Sequence, residues 1–187
     1  MRSPPAAAAR ALAFEDMKTL LEGNEDPVMV LVARGMNAIS DADIVDWASR
    51  HTAPLSYAYD SDYLQLVRCN PRNALALGKA HSHLTSLVAR RFPNFNDRSA
   101  EAGDIARKLF LRRIRTYLHS DIEPLQICRM VSPIEEKYDY PHWLGSLYDA
   151  CDWMDERTTR DQALHLRDEI EQILSDNGVS LLPGNEE

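Results

Sequence analysis

The sequence predicts an all-α fold: a single-domain bundle of about eight helices, without significant β-sheet. Three observations carry this. Helix-starting pairs and capping patterns recur along the whole chain. Only 7 of 187 residues are glycine, while Ala and Leu abound, a balance that suits helices joined by short connections. No segment sustains the period-two alternation of a half-buried strand.

In chain order, a first helix is expected over 7–22, with Leu12, Phe14, Met17, Leu20 and Leu21 as its apolar side and Gly23 as a cap. Asp26-Pro27 reads as N-cap and N1 of a second, running to Met36. Its β-branched run Val28–Val32 would also suit a strand, but the Asp-Pro start favours helix. Ser40 with Asp43 resembles a capping box opening a helix that carries Ile44, Val45, Trp47 and Ala48. Tyr57 to Val67 is read as helical. Asn70-Pro71 suggests another start, with a helix to Phe92 stopped by Pro93. Ser99 opens a long helix to His119. Pro124 begins a shorter one that Pro133 should break or kink. Pro141 is expected to begin one helix through Met154, and Thr158 with Asp161 to cap the last, ending at Asn177-Gly178.

The chain is treated as one domain over 1–187, with 93–98 the best place for a subdomain boundary and 1–6 and 182–187 expected to fray. The apolar run Ala6–Ala9 is interrupted by Arg10 and followed by Glu15 and Asp16, which does not make a secretory segment. With no apolar stretch long enough for a bilayer, a cytoplasmic location is expected and no membrane partner. Cys69, Cys128 and Cys151 are odd in number, far apart and in no CxxC pair, so three buried thiols are expected rather than a disulfide or zinc site.

Charge is distributed unevenly. The net charge is −8, yet residues 135–187 hold 4 Lys+Arg against 14 Asp+Glu, a balance of −10, leaving +2 for residues 1–134. An acidic C-terminal third repels phosphates, which makes nucleic acid an unlikely partner for it. The same third is rich in aromatics: Tyr138, Tyr140, Trp143, Tyr148 and Trp153. Projected as one helix from Pro141, it turns Trp143, Leu144, Leu147, Tyr148, Cys151 and Met154 inward. His142, Gly145, Ser146, Asp149, Asp152 and Trp153 then face outward. An indole among carboxylates is a composition suited to holding a protein. His142 and Asp149 would lie two turns apart, about 10 Å along the axis, too far for a direct acid–base pair.

Three further patterns bear on binding. Lys108, Arg112, Arg115 and His119 share a stripe at steps of four, three and four, a docking strip for an acidic partner or phosphates, or else a solvated face. Arg113, within the apolar arc of that helix, should reach a buried carboxylate or extend its head to water. His81 is expected in the core beside Leu77, Leu84 and Val88, and two residues away His83 points elsewhere, so the pair cannot share a metal. Asp161, His165 and Glu169 form a column that reads as a solvated charge row, with no metal expected.

No phosphate-binding loop, dinucleotide fingerprint, nucleophile elbow or zinc-protease motif is present, and no cofactor is expected. The reading therefore leans away from an enzyme. It favours a non-enzymatic protein-binding helical domain, using His142, Asp149, Asp152 and Trp153 to hold a protein of basic character. In composition this is comparable with toxin-neutralising immunity proteins and chaperone-like adaptors. The alternatives are an enzyme with His81 or His142 as base, nucleic-acid binding through Lys108, Arg112 and Arg115, and a homodimer closing over Trp153 or the Val28–Val32 helix.

Overall fold

The computed structural model describes residues 20–181, with 22 and 121 excepted. Among the described residues the protein is helical, with no strand. No helix among them is long and apolar enough to cross a membrane. Most of the helix expected over 7–22, and the terminal segments 1–6 and 182–187, lie outside the described residues. Leu20 and Leu21, from the end of that helix, are buried and not helical. The chain divides into two compact units after Ile105.

In the first unit, α1 spans Pro27–Gly35, and the Asp26 side chain accepts from the Met29 amide at 2.9 Å. The cap and the pre-set φ of Pro27 fix the start that the β-branched run alone left ambiguous. Val28, Val30, Val32 and Ala33 are buried. The helix ends in a Schellman motif: Asn37 takes φ +56°, Ala38 N–H donates to Ala33 O, and Asn37 N–H donates to Arg34 O. Asparagine stands there in place of the usual glycine.

The Ser40–Asp43 capping box is formed, and α2 runs over Asp41–Arg50, burying Ile44, Val45, Trp47 and Ala48. The Trp47 indole N–H donates to Glu25 O at 3.0 Å. α3 spans Ser61–Val67, starting later than the expected Tyr57 because Asp60 supplies the cap, and ending where expected. Residues upstream form a turn closed on Pro54 O by the Tyr57 and Ala58 amides, which leaves Tyr59 exposed.

The helix expected from Pro71 to Phe92 is two helices. Asn70 and Pro71 occupy the first positions of a β-turn, closed by Asn73 N–H donating to Asn70 O at 2.9 Å. Asn73 then caps the short α4, Ala74–Leu77, and Gly78 ends it. α5 spans Ala80–Arg91 with Leu84, Leu87 and Val88 buried. It packs against α1, α2 and α3 and forms the centre of the unit. The resulting shift of helical phase overturns the placement of His81 in the core: His81 is exposed, and His83 is the half-buried one.

α6, Ala100–Leu118, starts as expected, with Ser99 Oγ accepting from the Ala102 amide, and the division between units falls within it. In the second unit, α7 runs over Pro124–Tyr138. Pro133 lies inside it without breaking it. The helix stops instead at Asp139 and Tyr140, which both take left-handed φ near +50°. The expected single helix over 141–154 is not formed. His142–Leu144 is one 3₁₀ turn, and Gly145 at φ +56°, ψ −136° breaks the path. α8 covers only Leu147–Cys151. Glycine is required at that φ and ψ, which no L side chain adopts readily. α9, Arg160–Asp176, opens on a capping box of Thr159 and Gln162, one residue beyond the expected Thr158–Asp161, and Gly178 follows its end at φ +68°.

The turn from Asp139 to Gly145 folds the chain back so that α8 packs against α7 and α9. That return brings Cys128 and Cys151 to a Cα–Cα distance of 5.1 Å, within disulfide range, and they are bonded. The expectation of three buried thiols is corrected accordingly. Only Cys69 is free, and it is half-buried.

Candidate functional site

The acidic, aromatic surface foreseen in the C-terminal third is built on a different backbone from the expected helix. Asp149 lies in α8, and Asp152 and Trp153 follow it directly; all three are exposed, Trp153 at 80%. The indole therefore faces solvent, although the helix predicted to turn it outward is interrupted. Its neighbourhood is fixed from two sides. The Cys128–Cys151 bond ties α8 to α7, and Gln162 Nε2 donates to Trp153 O at 3.0 Å, tying the segment to the first turn of α9.

Glu135, on α7, adds a third carboxylate. Its carboxyl is pushed above the ordinary range, first by burial and then by the charges of Asp152, Asp149 and Glu136. Its Oε1 is buried without a hydrogen-bond partner among the described residues. Glu135, Asp149 and Asp152 thus share one field next to an exposed indole. Tyr148, expected inward, is 39% exposed. Trp143 is half-buried and packs at 5.8 Å on Phe110.

His142 does not join this group through any bond. It is exposed on the 3₁₀ turn before Gly145, and its ring has no hydrogen-bond partner among the described residues. The helical register that aligned it with Asp149 is lost at Gly145. His81 is likewise exposed without a carboxylate partner. Neither histidine named as a base meets an acid.

The basic stripe is only partly available. Lys108 is exposed, Arg112 and Arg115 are half-buried and engaged with neighbouring groups, and the His119 ring bonds Leu181 O at 2.8 Å. Arg113 is buried and donates to the Gln126 carboxamide at 3.4 Å. Asp161 and His165 are exposed and Glu169 accepts from Ser146 Oγ. Among the described residues no group of His, Cys, Asp and Glu could hold a metal ion. The Val28, Val30 and Val32 side chains, considered as a dimer surface, are buried within their own unit.

No family model, curated protein or solved structure matches this chain.

One polar network has no local signature in the sequence. Asp60, whose side chain is 0% exposed, accepts from Arg90 Nη1 at 2.9 Å on both oxygens and from Arg91 Nε at 2.8 Å. Asp62 accepts from Arg90 and holds His83 Nδ1 at 2.8 Å. Burial alone would raise the Asp60 carboxyl, but the bonds from Arg91 and the Asp62 amide and the charge of Arg90 outweigh it and hold it low. Asp62 is held low as well, first by His83, against burial, and then by Arg90. The partners stand 21 to 31 positions apart, so no local pattern announces them. Asp60 is also the cap of α3, which makes the network a clamp between α3 and α5.

Proposed function

We propose that the protein is a non-enzymatic binding domain whose second unit holds a basic protein through Trp153, Tyr148, Asp149, Asp152 and Glu135. The observation that carries this is the 80% exposed indole set beside carboxylates on a segment fixed by a disulfide. A backbone segment that is already fixed loses little freedom on binding, and truncating an aromatic anchor on it typically costs a complex about 2 kcal/mol or more. The −10 balance of residues 135–187 would steer a basic partner inward and make its on-rate fall with salt. His142 has no part in the proposal. If the protein works in the cytoplasm, the thiol pool there favours Cys128 and Cys151 reduced, and the bonded form belongs to an oxidising compartment.

The test compares the full chain with the Trp153→Ala, Asp149→Ala double variant as bait for proteins of its native cell. A specific basic partner should bind the folded variant at least about 30-fold more weakly, the equivalent of 2 kcal/mol. Salt should weaken the wild-type complex more than the variant's. Equal retention by the two baits would overturn this site.

A further inference from the structure

A second site lies in the first unit and is independent of the reading above. The end of α3, the turn at 70–73, α4 and the start of α5 enclose a cleft of about 560 Å³, lined among others by Arg68, Cys69, Asn70, Asn73, Lys79 and His83. No carboxylate lines it, in a chain whose net charge is −8. The Arg68 guanidinium and Lys79 ammonium are exposed and make no ion pair among the described residues.

The two asparagine side chains also offer donors. Asn70 Oδ1 accepts from the Arg72 amide, and Asn73 Oδ1 from the Leu75 and Ala76 amides. Each carboxamide oxygen is thus engaged in the local turn, which leaves its NH₂ as the free end. His83 Nδ1–H donates to Asp62, so Nε2 is its uncommitted nitrogen and, in the neutral ring, accepts, which suits a protonated phosphate oxygen. The clamp that orients His83 includes the Arg90 bridge, and it stands behind the cleft rather than in it.

We infer that this cleft binds a small ligand carrying a phosphate group, held by Arg68 and Lys79 with His83, Asn70 and Asn73 as supporting groups. Two unpaired cations match the near-dianionic charge of a phosphate monoester. The set of separate donors exceeds what the two oxygens of a carboxylate would take up, and matches three phosphate oxygens. The volume falls within the range of small-molecule sites.

Cys69 lines the cleft and is the one free thiol while Cys128 and Cys151 remain bonded, so it reports occupancy. The experiment uses the full chain without reductant. Inorganic phosphate is the probe, potassium chloride of equal ionic strength the control, and the rate of Cys69 alkylation by iodoacetamide the readout. Calorimetric titration with phosphate runs in parallel. Phosphate should slow alkylation and give a one-site isotherm, whereas chloride should do neither. R68Q and K79Q should each weaken binding about tenfold or more, the loss of one charge-assisted contact. The Arg72→Gln variant, outside the lining, should bind as wild type. Absence of both protection and heat overturns the proposal. So does protection that persists unchanged in R68Q and K79Q, which would place the anion elsewhere. Both substituted side chains are exposed, so the single variants should fold, and circular dichroism verifies it.

Discussion

Asp60→Asn isolates the charge of the α3–α5 clamp. Asparagine is nearly the same shape and is itself a good N-cap, so the start of α3 survives. What is lost is the anionic acceptor shared by Arg90 and Arg91. Hydrogen bonds to charged groups contribute about 1.5–3 kcal/mol each. The two arginines are 47% and 38% exposed and recover water when the anion goes, which places each contribution at the low end. The expected loss for the first unit is about 2–3 kcal/mol, and Asp60→Ala should add about 1 kcal/mol for the missing cap. The sign of the pH dependence follows from the depressed carboxyl. Its stabilisation is fully present above the unfolded aspartate value of about 3.9 and disappears as pH falls through the lower folded value. Wild type and D60N should therefore differ at neutral pH and converge in acid. Urea titrations across pH, with hydrogen exchange of the α3 amides to identify the unit that opens, measure both. A D60N chain as stable as wild type at neutral pH would refute the argument, as would a gap that stays constant into acid.

Two other consequences concern the covalent and aromatic features. The Cys128–Cys151 bond closes a loop of sequence separation 23, for which chain entropy predicts about 3 kcal/mol of stabilisation, so Cys128→Ser with Cys151→Ser should lower the urea midpoint of the second unit. Equal midpoints for that pair of substitutions and wild type would show that the unfolded chain gains nothing from release. Tyr57 is pushed up to about 12, chiefly by burial and then by Tyr63 and Asp26, and its hydroxyl meets His51 Nε2 at 2.6 Å. A raised folded value means stability fully present below pH 10 and lost between about 10 and 12, a loss that Tyr57→Phe should reduce in alkaline melts.

The parts of the fold that could be read in advance are those specified by adjacent residues. Asp26 with Pro27 and Ser40 with Asp43 act within one helical turn, and their helices start where those residues stand. Asn70-Pro71 misled because the same dipeptide opens a β-turn as well as a helix, and only the second asparagine, three residues later, decides between them. A continuous helical projection places Gly145 outward, whereas its backbone ends helical geometry, which a periodic pattern does not encode. Trp153 emerged exposed even so, because α8 is anchored through Leu147, Ala150 and Cys151, and the chain passes outward after Cys151. The disulfide and the Asp60 clamp depend on elements meeting in space, and spacing along the chain carries no trace of either.

The bond between Cys128 and Cys151 has a topological consequence for the proposed binding surface. It turns residues 128–151 into a closed covalent ring that contains Asp139, Tyr140, Gly145 and Asp149. A single peptide cleavage anywhere inside that ring cannot separate the two fragments. The carboxylate at 149 would stay attached to α7 through sulfur, and only reduction would let the pieces part.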